Sequence, residues 1–381
     1  MPQLFKNLEI RNYRAFDHLV LKELGQVNLF IGKNNIGKSS LLEALWLYAN
    51  LGAPHIIHEI LTERDDLVSH RSLNENSTTL SPDQGVSNIA QEVLNLFNGY
   101  PKIDLIEKKI EIGMINSPDS ALCMTVEWYG IDRTKTKRST LIPVDDKTRD
   151  YDGDIIPALV VKQGTYKKTF RLDVSLTDHA KRWRLQPKNY IDLLLPASFI
   201  GPHGIRQSDL PRMWKRIVLT ELKQDIVESL RIIHPSIDDV AVINSEDPKN
   251  ISVQVRIEKQ AETVPLKSLG DGMNRLFGLT LGLVNAQNGM LLIDEVENGL
   301  HYSIMPLVWK FILKVAKRLN VQVFATTHSM DCIKAFHIAT KDDSDIEGIT
   351  TRIEFKNGEL RISQFDENRL STIIEEDIEI R

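Results

Sequence analysis

Cysteine is nearly absent from this chain: Cys123 and Cys332 are the only two among 381 residues. Far apart and set in apolar or mixed surroundings, they form neither a metal-type pair nor a disulfide framework. The expected setting is a reducing cytoplasm. Long apolar runs are lacking too. No stretch is continuous enough to span a bilayer, so no membrane partner is expected. Met1 to Phe16 is interrupted by Lys6, Glu9, Arg11 and Arg14, and a signal peptide is not expected there. Charge of one sign is also missing. Lys and Arg number 47 against 52 Asp and Glu, a net charge of -5. That excludes a wholly basic nucleic-acid binder and leaves room for a local basic face. No internal repeat is visible.

What remains is an ordinary globular composition, 42% hydrophobic and 26% charged, enough for one large domain or two modest ones. Near-alternation predicts a strand over Leu4 to Ile10, and an apolar run predicts another over Gln26 to Ile31. An almost continuously apolar helix follows from Lys38 to about Leu51. The segment from Ser72 to Pro82 is polar and reads as a loop. Strand-like runs at Lys109 to Ile115, Cys123 to Trp128, Ala158 to Gln163 and Thr169 to Val174 alternate, which suits an antiparallel sheet. Ile191 to Ile200 reads as a strand. Leu210 to Ile233 is helical in period, with strands after it at Val240 to Asn244 and Ile251 to Ile257.

The last third alternates. Helices are predicted over Asp271 to Gln287, Ser303 to Leu319 and Met330 to His337. Strands are predicted over Met290 to Ile293 and Val321 to Ala325. Such alternation implies parallel strands joined by crossover helices. Asn357-Gly358, between short strands at Arg352 to Phe355 and Glu359 to Ile362, is a hairpin signal. The tail from Glu375 is acidic.

Gly32-Lys33-Asn34-Asn35-Ile36-Gly37-Lys38-Ser39, followed by Ser40, fits G-x-x-x-x-G-K-[ST] between a strand and a helix. The glycines let backbone N–H groups curl toward phosphate oxygens, and the helix N-terminus adds a favourable dipole. In that pattern Lys38 reaches the β- and γ-phosphates of a nucleotide, and the Ser39 hydroxyl is a ligand for Mg²⁺.

Three further pieces carry chemistry. The apolar run Met290 to Ile293 ends in Asp294-Glu295, where one carboxylate can hold Mg²⁺ and the next can deprotonate a water. A solvated acidic turn reads equally well. Val321 to Ala325 ends in Thr326-Thr327-His328-Ser329; His328 is either a γ-phosphate sensor or a cap for the next helix. Ser268-Leu269-Gly270-Asp271-Gly272 opens a helix, either as a second anion site or as a plain helix entry capped by Asp271. One chain cannot easily aim two helix ends at one triphosphate, whereas a symmetric dimer can.

In this order the four pieces resemble the ABC-type ATPases. Within these they are similar to the SMC/RecF-like branch, and to the AAA ATPases related to the OLD proteins. Ile10-Arg11-Asn12-Tyr13-Arg14-Ala15-Phe16 resembles that branch's opening strand. Gly32 to Ser40 is similar to its GxNNxGKSS, and Leu291 to His301 to its DEPENGLHP, with Val296 in the Pro position. The resemblance implies an α/β fold: a P-loop ATPase head with a mixed sheet, antiparallel lobe plus parallel core, and an inserted helical and β arm. It implies head segments over residues 1–60 and 261–365, an inserted lobe over 61–200, a returning arm over 201–260 and a tail over 366–381. It also implies Asp294 as metal ligand, Glu295 as catalytic base, His328 as switch histidine and Arg14 near the nucleotide. Ser268, Gly270, Asp271 and Gly272 become a signature acting in trans, and Glu297 to His301 a loop at the dimer seam. Gln163 is the candidate for the glutamine that links lobe to nucleotide. OLD proteins carry a nuclease domain after the ATPase. Too few residues follow His328 for one of ordinary size, about a hundred residues. The expected partners are therefore a second copy and a separate nuclease or toxin effector in antiphage defence. The alternative is DNA itself, in repair or recombination. Arg133 to Arg138 and Lys181 to Arg184 are basic clusters that suit nucleic acid or a solvated face.

Overall fold

The computed structural model describes residues 4–66, 89–103, 108–132, 140–144, 154–183, 194–244, 251–342, 347–365 and 367–376. The first basic cluster, Arg184 of the second and the polar stretch from Ser72 lie outside the described residues, as do residues 377–381 of the tail.

In chain order the first elements are β1 (Leu8–Tyr13), β2 (Phe16–Leu21), β3 (Val27–Ile31), α1 (Lys38–Ala49) and α2 (Pro54–Glu63). Then come β4 (Ile110–Gly113), β5 (Leu122–Asp132), β6 (Thr140–Pro143), β7 (Ile155–Gln163), β8 (Tyr166–Arg171) and α3 (Leu176–Trp183). The middle holds β9 (Ala197–Ile200), α4 (Leu210–Ile217), α5 (Leu222–Arg231), β10 (Ile237–Asn244), β11 (Ile251–Ile257) and β12 (Val264–Pro265). The last third is α6 (Asp271–Asn285), β13 (Met290–Ile293), α7 (Met305–Leu319), β14 (Gln322–Thr327), α8 (Met330–Lys341), β15 (Gly348–Lys356), β16 (Glu359–Phe365) and α9 (Glu367–Glu375).

The chain divides into two compact units: Met1–Lys6, Glu23–Leu42 and Leu195–Arg381 form the first, Asn7–Lys22 and Glu43–Leu194 the second. The first unit is built on a six-stranded sheet ordered β16-β15-β3-β14-β13-β9. Strands β9, β13, β14, β3 and β15 run parallel, and only β16 is antiparallel, at one edge. Every residue of β3, β13 and β14 is buried. Burial at every position is what a sheet covered on both faces gives; β13 is wholly apolar, while β3 and β14 also bury Asn28, Gln322, Thr326 and Thr327. Helices α4 to α8 supply one continuous core in which Trp309 meets Phe336 edge-on, ring centroids 4.8 Å apart. Because the strands are parallel, the ends of β3, β14 and β13 emerge at the same sheet edge, Thr327 in register with Ile31 and Ala325 with Ile293. The β15–β16 hairpin turns at Asn357 (φ 56°) and Gly358 (φ 82°), the left-handed pair that the dipeptide predicted.

The second unit carries the antiparallel sheet β2-β1-β4-β5-β7-β8, with β6 beside β5. The alternating runs of the sequence become its strands. Several boundaries differ from expectation. The first strand starts at Leu8 rather than Leu4, because Phe5 is drawn off by Gln322, whose Oε1 accepts from its amide at 2.9 Å. The helix expected over Leu210 to Ile233 is two helices. Thr220 turns its hydroxyl back onto the Ile217 carbonyl at 2.9 Å, and neighbouring Leu219 is 96% exposed. Strand β2 and helix α2 were not anticipated, although buried Leu19 and Leu21 alternate and Ile56, Ile57, Ile60 and Leu61 follow a helical period.

Arg14 lies in this second unit. Its buried guanidinium forms ion pairs with Glu43 (3.2 Å) and Asp66 (2.9 Å), and Glu43 also pairs with Arg64 at 2.8 Å. Burial by itself lowers the Arg14 pKa; Tyr13, Glu43 and Asp66 outweigh it and hold the group above its ordinary value. Arg14→Met leaves the buried Glu43 short of a partner, and chemical denaturation is expected to show a loss of about 3–5 kcal/mol. Unchanged stability would contradict that assignment.

Candidate active site

The cradle begins where β3 stops. Gly32 has φ 147°, and a Cβ there would stand 2.3 Å from the Ile353 carbonyl oxygen, so no other residue fits. The loop turns through Asn35 (φ 63°) and Gly37 (φ 98°) into α1. The first intrahelical bond runs from the Leu41 amide to the Gly37 carbonyl at 2.9 Å. The amides of Lys38, Ser39 and Ser40 precede it and are the orphan donors of a helix start, a ready anion site. Lys38 is 8% exposed, and its Nζ donates to the carbonyls of Gly32 (2.6 Å) and Lys33 (2.9 Å). Burial lowers its pKa, and Asp294, Glu295 and Glu297 oppose that by their charge. These carboxylates, remote in sequence, stand within electrostatic reach of the cradle lysine.

Asp294 follows the last residue of β13 and is buried. Thr326 Oγ1 donates to its Oδ1 at 2.5 Å and accepts from the Glu295 amide at 2.9 Å. One hydroxyl on β14 thus fixes both acidic residues. Glu295 has φ 48°, a left-handed backbone uncommon outside glycine. Its Oε2 accepts from Asn298 Nδ2 at 2.6 Å. His328 stands just past β14, its ring nitrogen Nδ1 3.4 Å from Glu297 Oε1 and 3.7 Å from Glu295 Oε1. The cap of α8 is Ser329, which accepts from the Cys332 amide at 3.3 Å, so capping does not account for His328.

The structure therefore brings Lys38, Asp294, Glu295 and His328 into one neighbourhood of the first unit. Ser268, Gly270 and Asp271 stand exposed at the entry to α6, where Gly270 (φ 103°) is the N-cap and makes no side-chain cap bond. Asp271 is the first helical residue rather than the cap. Gln163 closes β7 in the second unit and is hydrogen-bonded to Tyr48. Three contributors were missed by sequence reasoning. Thr326 and Asn298 lie inside quoted motifs and were legible by position alone. Arg275, buried within α6, left no local signal. Glu297, expected at a dimer seam, accepts from the His328 amide at 3.1 Å.

The cradle suits a nucleotide and its metal. Among the described residues no group of three or more His, Cys, Asp or Glu could hold a metal ion alone. Mg²⁺ is commonly bound through one or two protein oxygens and the phosphates of its nucleotide. The Ser39 hydroxyl and the Asp294 carboxylate are hard oxygen donors of that kind. When bound, the metal would supply charge neutralisation at the phosphates.

Residues 133–331 match the family model described as "AAA domain, putative AbiEii toxin, Type IV TA system". The chain belongs to this AAA family. Residues 5–127 match a second model, described as AAA ATPase domain. An ATP/GTP phosphatase of Helicobacter pylori is 23% identical over 349 residues, covering 87% of each chain. An uncharacterized protein of Methanocaldococcus jannaschii, MJECL11, is 32% identical over 100 residues, 26% of this chain and 84% of that one. Among solved structures, the Pyrococcus furiosus Smc head with an extended coiled coil, bound to the C-terminal domain of ScpA, aligns over 100% of both chains with TM-score 0.46 and 11% identity. The Thermotoga maritima SMC head aligns over 95% of this chain and 98% of that one, with TM-score 0.40 and 13% identity. Both likenesses are distant in sequence and in shape. This AAA protein is an ATPase. No described helix is long and apolar enough to cross a membrane.

Proposed function

We propose that two copies of this ATPase close around Mg²⁺-ATP, each lending the entry of α6 to its partner's cradle, and that closure controls a separate nuclease or toxin effector in antiphage defence in the cytoplasm. The cradle of one copy holds the phosphates through Lys38 and the amides of α1. Ser39 and Asp294 hold the metal, Glu295 takes the proton of the attacking water, and His328 contacts the γ-phosphate.

The observation that carries the two-copy reading is the exposure of Ser268, Gly270 and Asp271 at a helix start that carries no side-chain cap. A symmetric pair gives such a helix end an anion to meet. The effector reading draws support from the family description, which names a toxin of a type IV toxin–antitoxin system. The nearness to OLD proteins rests on the sequence motifs.

Ser268→Arg fills the entry with a long cation. Turnover is expected to fall by about 10²-fold or more, because the partner's transition-state contacts are lost. ATP affinity of the isolated chain, measured by titration, stays unchanged. Undiminished turnover would remove the trans arrangement. A nuclease or toxin co-purifying from the native host supports the effector reading, whereas tight, salt-sensitive DNA binding by the chain alone favours a repair or recombination role.

A further inference from the structure

Arg275 is buried, 5% exposed, and among the described residues it forms no ion pair but three bonds to backbone carbonyls. Its Nη2 donates to the Asp294 carbonyl at 2.8 Å and the Glu295 carbonyl at 2.7 Å, and its Nη1 donates to the Gly201 carbonyl at 2.6 Å. Its Nε has no hydrogen-bond partner among the described residues. Burial pushes the guanidinium down to about 10, against the pull of Glu297, Asp294 and Glu295. A charge hidden in this way is costly and persists where its hydrogen bonds accomplish something. What they hold is a left-handed stretch of backbone beside the cradle. Glu295 has φ 48°, a conformation that costs an ordinary residue about 1–2 kcal/mol. Its amide is fixed by Thr326 and its carbonyl by Arg275. The same guanidinium ties the end of β13 to Gly201, just beyond β9.

We infer that Arg275 is a positioning residue for hydrolysis, holding the Glu295 backbone in its left-handed turn so that the carboxylate meets the attacking water, and linking that turn to the entry of α6. Arg275 lies four residues, one helical turn, beyond Asp271 on α6. A partner or phosphate that engages the exposed start of α6 is thus one turn from the side chain that sets the base. The fork of a guanidinium is required, because one ammonium cannot span carbonyls on two strands.

This inference rests on Glu295 being the base, and the experiment separates the two. ATP affinity and kcat are measured for Arg275→Lys, Arg275→Met, Glu295→Gln and Arg275→Met combined with Glu295→Gln. The expected result is ATP affinity within about twofold of the parent for both Arg275 variants, since neither touches the cradle, with kcat down roughly 10- to 100-fold. In the Glu295→Gln background the Arg275→Met change is expected to have no further effect, because both act on one step. Parent-like kcat in the Arg275 variants, or an equal further loss in the Glu295→Gln background, overturns the role. So does loss of ATP affinity in both single variants, which would mark Arg275 as structural scaffolding. Undiminished turnover in Glu295→Gln alone rejects the base instead.

Discussion

Lys38→Ala is expected to weaken ATP binding by about 10²- to 10³-fold. Lys38 is the one cation in the cradle sequence besides Lys33, and it is buried where Lys33 is exposed. Three carboxylates, Asp294, Glu295 and Glu297, act on it electrostatically. Without the ammonium they would face the nucleotide's own negative charge unopposed. Truncating one partner of a desolvated charge interaction costs about 2–5 kcal/mol, and each 1.4 kcal/mol is about tenfold in affinity. The loop itself should survive, because its shape comes from Gly32, Asn35 and Gly37 rather than from the lysine. Titration of the variant with ATP and Mg²⁺ checks this. Parent-like affinity would remove Lys38 from the cradle.

Glu295→Gln is expected to leave ATP affinity near that of the parent and to lower kcat by roughly 10²- to 10⁴-fold, the range lost with a general base. The change is nearly isosteric. Asn298 Nδ2 can still donate to the amide oxygen, and the backbone bonds to Thr326 and Arg275 do not involve the side chain. What disappears is the ability to take a proton. Single-turnover measurement separates this from slow product release. Parent-like hydrolysis in the first turnover would show that another group, Glu297 foremost, serves as base.

Much of the site was legible because it is local. The Gly32 to Ser39 segment, Asp294-Glu295 and His328 each sit at the end of an apolar strand, and parallel strands deliver such ends to one edge. Apolar runs in the last third likewise predicted β13, β14 and the helices around them. Other features were hidden because they depend on contacts between distant positions. Arg275 reads as one cation in an apolar helix; its role needs the carbonyls of Gly201, Asp294 and Glu295, which no spacing reveals. The bond that the Glu297 carboxylate accepts from the His328 amide was hidden in the same way. The ion pairs of Arg14 with Glu43 and Asp66, within the second unit, likewise join positions that no spacing links. The break between α4 and α5 turns on the Thr220 hydroxyl, which a helical period does not register.

Mixing two inactive variants tests the paired site most directly. Glu295→Gln alters the cradle side and Ser268→Arg the lent side. Each is inactive alone on this account. Combined in equal amounts before ATP is added, half the pairs are mixed, and each mixed pair contains one site with an unaltered cradle and an unaltered α6 entry. The account predicts that hydrolysis returns to about a quarter of the parent rate, the share of intact sites in a random mixture of symmetric pairs. A mixture as inactive as its two components would contradict it.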